Sequence, residues 1–290
     1  MKILVLGATG MLGSAILHTL QKNERYEAWG TLRSENGLAY FPEQTHSKLI
    51  YNVDVLDEHA LHDVFERVKP NLVINCVGLI KQLSSANDPL IVLPINSIFP
   101  HRLAKLCGLF EARLIHISTD CVFSGRKGMY KESDLSDAED LYGKSKFIGE
   151  LSDLPHVITL RTSIIGHELN SHYALIDWFL SQKEQVKGYV HAIFSGLPTV
   201  ELTRVIMDFV IPRPHLFGLY HVAAKPISKY DLLNLVAETY GKKISIIPEE
   251  QFFIDRSLNA ERFREATGYV APEWPYLIEM LYQSRGELNV

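Results

Sequence analysis

Gly7-Ala8-Thr9-Gly10-Met11-Leu12-Gly13 lies between an apolar run, Ile3-Leu4-Val5-Leu6, and a segment whose Ala15, Ile16 and Leu20 recur with helical spacing. A buried strand that turns sharply into a helix leaves unpaired backbone N–H groups at the helix N-terminus. Their partial positive charge suits a pyrophosphate. Gly7 then permits the tight turn, Gly10 lets phosphates approach the backbone, and Gly13 lets the helix pack closely on the strand. Thr9, Met11 and Leu12 share this loop and helix start and are expected beside the same ligand. Taken alone, the G-x-x-G-x-x-G stretch also reads as a glycine-rich turn without a ligand.

Outward from this stretch, 290 residues leave room for one large core or for a core with a smaller lobe. Hydrophobic residues make up 47% and charged residues 22%, which suits a folded globular chain. A net charge of −5 and the absence of a Lys/Arg block offer no footprint for nucleic acid. Cys76, Cys107 and Cys121 show neither metal-ligand nor CxxC spacing, so no metal site is expected and the thiols read as reduced. The first apolar run is far too short for a membrane span and enters a glycine turn instead of a signal-cleavage region. A soluble cytoplasmic protein with no membrane partner is expected.

Short apolar runs predict strands at 2–6, 27–32, 48–52, 72–77, 113–118 and 157–161, with helical patterns at 13–22, 58–68, 96–110 and 142–151 between them. Regular alternation of doubly apolar strands with helices predicts an α/β fold with a doubly wound, Rossmann-type parallel sheet. After about residue 165 the rhythm changes. Helices are predicted at 173–181, 200–210 and 229–240, and short strands at 192–194, 218–222 and 243–247, before a tail with Pro272, Trp274 and Pro275. Residues 1–164 are therefore expected to form the dinucleotide-binding domain. Residues 165–290 are expected to form mainly a smaller α/β substrate lobe, with some elements rejoining the main sheet.

The second strand should end at the adenosine ribose, where an NAD site would place Asp or Glu. This chain has Thr31, Leu32 and Arg33. A carboxylate would repel a 2′-phosphate and a guanidinium binds one, so NADP(H) is favoured over NAD(H). Arg33 also reads as a solvated loop arginine. Asp54, followed by Val55, suits the adenine end or a plain turn. Cys76, Val77 and Gly78 end the fourth strand, where a glycine lets backbone approach the middle of a cofactor or simply makes a turn.

Farther on, Ser118-Thr119-Asp120 ends the fifth strand, and Tyr142-Gly-Lys-Ser-Lys146 opens a helix. Tyr142 and Lys146 at i and i+4 share a helix face, about 5–6 Å apart. An ammonium there stabilises a phenolate, and lowering a tyrosine pKa by about three units takes roughly 4 kcal/mol. A hydroxyl of Thr119 or Ser118 can hold a carbonyl oxygen. Y-x-x-x-K alone is common on surface helices; its setting is what points to chemistry.

The glycine loop, Asn75-x-x-Gly78, Ser118-Thr119-Asp120 and Tyr142-x-x-x-Lys146 together resemble the extended short-chain dehydrogenase/reductases. Ser118-Thr-Asp-Cys-Val-Phe-Ser-Gly125, Arg161-Thr-Ser163 and Gly196-Leu-Pro-Thr199 resemble the dTDP-4-dehydrorhamnose reductase (RmlD-like) branch across nearly the whole chain. The resemblance implies NADPH-dependent reduction of the C4 ketone of a nucleotide-activated 4-keto-6-deoxy sugar for surface polysaccharide synthesis. It implies Tyr142 as general acid, Lys146 as its activator and ribose ligand, Thr119 as a hydrogen-bond partner of the reacting oxygen, and Asn96 behind the lysine. It also implies Ser163 and Ile164 beside the nicotinamide. The branch carries Tyr where this chain has Cys121 and Trp where it has Ile164, which leaves the sugar open. Residues 78–88 and 165–172 are expected along the sugar pocket, with His167 and His172 read as phosphate contacts or as surface residues. The resemblance is as compatible with a monomer as with a homodimer. A sugar-nucleotide epimerase of the same superfamily, or a non-catalytic NADP-binding regulatory subunit, remains an alternative.

Overall fold

The computed structural model describes residues 1–81, 84–169 and 171–287. The chain forms two compact units, the first from Met1–Ser118, Asp140–Leu160 and Arg213–Leu219, the second from Thr119–Glu139, Arg161–Pro212 and Tyr220–Val290.

The first unit is built on a seven-stranded sheet. Its strands are β1 (Lys2–Leu6), β2 (Glu27–Thr31), β3 (Leu49–Ile50), β4 (Leu72–Asn75), β5 (Arg113–Thr119), β6 (Val157–Thr162) and a late strand, Gly218–His221, in the order late strand-β6-β5-β4-β1-β2-β3. β1 pairs in parallel with both β2 and β4, β2 with β3, and β4 with β5. The strand order reverses between β1 and β4, and in such a sheet ligands sit outside the carboxyl ends of the strands at that reversal. The expected Rossmann-type parallel sheet is the one found.

The connecting helices are α1 (Met11–Gln21), α2 (Glu58–Val68), α3 (Pro89–Leu93), α4 (Phe99–Leu109) and α5 (Leu141–Ile148). Asp57 starts α2 by accepting from the N–H groups of His59 and Ala60, and Asp140 starts α5 by accepting from Gly143. Leu61, Val64, Phe65 and Val68 of α2 and Leu103, Ala104 and Cys107 of α4 pack with Leu4, Leu6, Val73 and Leu114 of the sheet. Each such fully buried Leu, Val or Phe contributes about 1.5–3 kcal/mol.

Two helices depart from expectation: α5 stops at Ile148, short of the pattern over 142–151, and α4 is entered through added turns. The pattern over 96–110 begins earlier, at Pro89, because Asp88 caps it by accepting from the Leu90 N–H. A π-helical turn, Pro94–Ile98, links α3 to α4. Pro94 has no N–H to give the preceding turn, and a widened turn accommodates that loss. Asn96 sits inside this turn.

The second unit contains β7 (Ile164–Ile165), α6 (Leu175–Ser181), β8 (Gln185–Phe194), β9 (Leu197–Pro198), α7 (Thr199–Val205), the late sheet strand β10 (Gly218–His221, of which Tyr220 and His221 belong here), β11 (Ile227–Ser228), α8 (Lys229–Thr239), β12 (Ser245–Asp255), α9 (Glu261–Thr267) and α10 (Trp274–Ser284). β8 is the middle of a three-stranded sheet, antiparallel to β11 and parallel to β12.

The second unit adds the short strands β7, β9 and β11 to the predicted elements, turns the helix expected at 200–210 into α7 and a π-helical turn at Ile206–Val210, and differs further in β8, β12 and the tail. β8 extends back to Gln185, with Val186, Gly188, Ala192 and Phe194 facing inward between exposed or half-exposed neighbours. Such alternation suits a strand with one wet face. β12 continues through Pro248 to Asp255 because it is an edge strand, where a missing N–H is tolerated. The tail forms α9 and α10, ended and begun by residues that look like breakers: Gly268 closes α9 at φ 78, and Pro275 lies in the first turn of α10. Among the described residues no helix is long and apolar enough to cross a membrane.

Candidate active site

The glycine loop follows β1 as a strand–turn–helix. Gly7 has φ +78, a conformation that L side chains rarely adopt. Gly10 is the N-cap of α1 and, lacking a side chain, leaves the first N–H groups of that helix without a side-chain cap. A Cβ on Gly13 would lie 2.1 Å from the Gly7 carbonyl oxygen, so the close helix–strand approach admits only glycine there. Thr9 and Met11 are half-buried at the rim, whereas the Leu12 side chain is buried and can serve a ligand only through its backbone. The loop is a glycine turn with uncapped donors at a helix start, which fits a pyrophosphate.

β4 ends beside it. A Cβ on Gly7 would lie 3.1 Å from the Val77 side chain and 3.3 Å from the Cys76 carbonyl carbon. The Asn75 amide oxygen accepts from the Val77 N–H at 3.0 Å, which turns the chain over the strand tip. Its amide nitrogen lies 3.1 Å from His116 Nδ1, so Asn75 donates and His116 accepts. The hydrogen on His116 is then on Nε2, which is buried with no hydrogen-bond partner among the described residues. Burial, then the Lys146 charge, hold the His116 pKa far below the usual histidine range. Desolvation pushes the Cys76 thiol up to about 12, so it stays protonated.

α5 brings Lys146 into this group. Its Nζ donates to the Ile117 carbonyl of β5 at 2.9 Å, and the residue is 5% exposed. Burial lowers its pKa to about 8, while the Glu150 carboxylate pulls it upward, so the amine is still largely charged at neutral pH. A Cβ on Gly78 would stand 3.8 Å from Lys146 Nζ and 3.5 Å from the Asn96 amide oxygen, which places the strand-end glycine, lysine and asparagine at one spot. Asn96 accepts from the Leu79 N–H at 2.9 Å and donates to Ser145 Oγ at 3.2 Å, so it braces the loop and α5 together. Ser118 is buried and donates to Glu150 Oε1 at 2.6 Å. Tyr142 is half-buried one turn before Lys146, and its carbonyl accepts from Ser145 Oγ.

Arg33 is exposed, just past the end of β2. Thr31 is buried at that end, its hydroxyl 3.4 Å from the Gly7 N–H, which ties the strand tip to the glycine loop. Asp54 is exposed and accepts from the Leu56 N–H at 2.9 Å, the turn role that its position allowed. Val55 packs against the first unit's core.

In the second unit, Thr119 donates to Asp120 Oδ1 at 3.1 Å and accepts from the Cys121 N–H at 3.1 Å. Asp120 is buried, and that burial raises its pKa against the pull of Arg256. The Arg256 guanidinium donates to the Phe123 carbonyl at 2.7 Å and lies 3.9 Å from Cys121 Sγ. Ser163 and Ile164 meet the Gly196-Leu-Pro-Thr199 segment: the Leu197 N–H donates to the Ser163 carbonyl, and β7 pairs in parallel with β9. A Cβ on Gly196 would sit 2.1 Å from that same carbonyl. His172 is exposed. His167 is not a surface residue: it is 2% exposed, with Nδ1 2.7 Å from Asp177 and Nε2 2.8 Å from the Tyr240 hydroxyl. Of the two segments expected along a sugar pocket, 82–83 and 170 lie outside the described residues.

His116 and Glu150 carry no weight in the sequence reading. The i, i+4 spacing of Lys146 and Glu150 was the one signal for the carboxylate; nothing local marked His116. Among the described residues no group of three or more His, Cys, Asp or Glu is placed to hold a metal ion.

The sequence model of a family described as "RmlD substrate binding domain" matches residues 1–283. The dTDP-4-dehydrorhamnose reductase of Aggregatibacter actinomycetemcomitans is 26% identical over 84% of this chain and 81% of its own. Methionine adenosyltransferase 2 subunit beta of Danio rerio is 27% identical over 83% of this chain and 74% of its own. A solved dTDP-4-dehydrorhamnose reductase from Bacillus anthracis, in complex with NADP, matches with a TM-score of 0.79 at 21% identity. It covers 98% of this chain, and this chain covers 99% of it.

Proposed function

This chain belongs to the RmlD substrate binding domain family, and from that premise we propose that it is an NADPH-dependent reductase of the C4 ketone of a nucleotide-activated 4-keto-6-deoxy sugar, serving surface polysaccharide synthesis. Residues 1–164 would hold the dinucleotide, and 165–290 mainly the sugar nucleotide. The observation that carries the reading is Lys146: a buried ammonium on a strand-end carbonyl, beside Gly78 and one helical turn from Tyr142.

NADPH, when bound, supplies the hydride that adds to the C4 carbon. Gly7, Gly10 and the α1 start would cradle its pyrophosphate; Arg33, exposed at the β2 end with no carboxylate beside it in sequence, suits a 2′-phosphate. Asp54 and Val55 would line the adenine end, Cys76, Val77 and Gly78 the middle, and Ser163 and Ile164 the nicotinamide. Tyr142 donates its hydroxyl proton to the C4 oxygen as charge forms there, and Lys146 stabilises the phenolate left behind. The Thr119 hydroxyl is a rotor that turns from Asp120 to the reacting oxygen. Asn96 keeps Lys146 and Gly78 in register through Leu79 and Ser145.

The test is NADPH oxidation with a panel of 4-keto-6-deoxy sugar nucleotides. Tyr142→Phe is expected to lose about 10²–10⁴-fold in turnover while still binding NADPH; unchanged turnover would remove Tyr142 as the acid. A second reading, a non-catalytic partner subunit, is favoured by the likeness to methionine adenosyltransferase 2 subunit beta. NADPH binding without turnover of any panel member would select that reading.

A further inference from the structure

Glu150 is placed where a carboxylate is electrostatically unfavourable. It follows Gly149, the C-cap of α5, and so stands at the negative end of the helix dipole. Two contacts compensate. Ser118 Oγ donates to Glu150 Oε1 at 2.6 Å, a short charge-assisted hydrogen bond. The carboxylate, just beyond the helix end, also attracts the Lys146 ammonium in the last turn of α5.

The two contacts act on neighbouring residues of one strand. Ile117 of β5 accepts from Lys146, and the next residue, Ser118, donates to Glu150. The end of α5 is thus gripped at two points by consecutive β5 residues. A third constraint comes from the other side: a Cβ on Gly149 would lie 2.0 Å from the Asn96 carbonyl oxygen, so the helix end is pressed onto the π-helical turn. Beside the Tyr142 phenol one turn back on α5, two further titratable groups feel the Lys146 charge, the protonated Cys76 thiol after β4 and the neutral His116 on β5, the latter also feeling His101 of α4. Neither of those two carries a negative charge. Glu150 does.

We propose that Glu150 is a positioning residue for the Lys146 ammonium: by accepting from Ser118 it fixes a negative charge beside Lys146 and holds the amine in place on the Ile117 carbonyl. The proposal rests on the reading of Lys146 as the cation that serves Tyr142, and it adds the counter-charge that lets such a cation persist in a dry site.

Glu150→Gln keeps an acceptor for Ser118 and removes the charge; Glu150→Asp keeps the charge. Lys146 protonation is read without any substrate, by competitive acetylation with acetic anhydride across pH and peptide mass spectrometry. Loss of an attracting anion makes the ammonium give up its proton at lower pH. The Glu150→Gln midpoint is therefore expected to fall by about one pH unit, with Glu150→Asp returning most of the way. In turnover assays the alkaline limb of kcat/KM should move down by the same interval. An unmoved midpoint in Glu150→Gln overturns the proposal; so do equal shifts in the Gln and Asp variants, which would mark a packing defect instead of a charge effect. A shifted midpoint in a protein that turns over no sugar nucleotide would leave Glu150 in its role and remove the reductase reading. Turnover with an unmoved midpoint would do the reverse.

Discussion

In the first unit, the Lys146 ammonium is buried on the Ile117 carbonyl, and His116 beside it has a buried Nε2 with no hydrogen-bond partner among the described residues. In the second unit, His167 has both ring nitrogens paired. Asp177 spends one oxygen on that imidazole and the other on the Glu168 N–H at 2.6 Å. With a carboxylate as acceptor, the hydrogen of His167 lies on Nδ1, and Nε2 accepts from the Tyr240 hydroxyl, whose proton burial holds firmly in place. Both clusters are buried and polar. One is closed; the other has its charge and its donor held under tension against desolvation. Closed networks rigidify a fold, whereas under-satisfied groups with shifted pKa values mark sites where a ligand completes the set. The contrast separates His116 from His167 better than any spacing rule.

The contrast can be broken at its strongest point first. Lys146→Met should lower turnover by about 10³-fold or more, because the phenol then lacks its cation; turnover measured at saturating NADPH checks this, and a loss under tenfold would reduce Lys146 to a packing residue. His167→Leu should destabilise the fold by about 3 kcal/mol, since it leaves the buried Asp177 carboxylate without its imidazole donor. Urea unfolding measures it, and a change under 1 kcal/mol would mean that the closed cluster adds little.

Lys146→Met sharpens the same contrast with the opposite sign. The folded-state pKa of Lys146 is lowered from 10.5 to about 8, so the folded chain binds fewer protons than the unfolded chain between those values. The charged lysine therefore costs up to ~3 kcal/mol below pH 8, and the cost fades as pH rises towards 10.5. The Met variant should unfold at a higher temperature than the parent at pH 7, with the gap closing above pH 9. A variant that is less stable at pH 7 would contradict the picture of an amine kept for function against stability. The smallest expected effect is at the rim: Arg33→Ala should weaken NADPH about fivefold to tenfold and leave NADH nearly unchanged, as for one exposed phosphate contact. Fluorescence titration distinguishes that from equal losses for both cofactors.

The first unit was legible because its signals are local. Gly7, Gly10 and Gly13 act within one turn, Asp57 and Asp140 cap their own helices, and Tyr142 and Lys146 share a face by simple periodicity. Where local signals mislead, the sheet environment is the reason. Pro248 looks like a terminator, yet an edge strand asks nothing of its missing N–H, and β12 runs on to Asp255. Pro94 looks like a break, yet a π-helical turn absorbs it and sets Asn96 at its site. His167 looked like a surface residue because its partners stand 10 and 73 positions away along the chain.

Sequence alone determined the parallel α/β architecture, the glycine turn into α1 and the one-turn spacing of Tyr142 and Lys146, since each is written in periods of two, three or four residues. Tertiary structure alone decided which polar groups are left wanting a partner. Ser118 reaches Glu150 across 32 positions and Asn75 reaches His116 across 41. Desolvation depends on everything packed around a group, so the depressed lysine and the lone imidazole nitrogen exist only once β4, β5 and α5 have closed on one another.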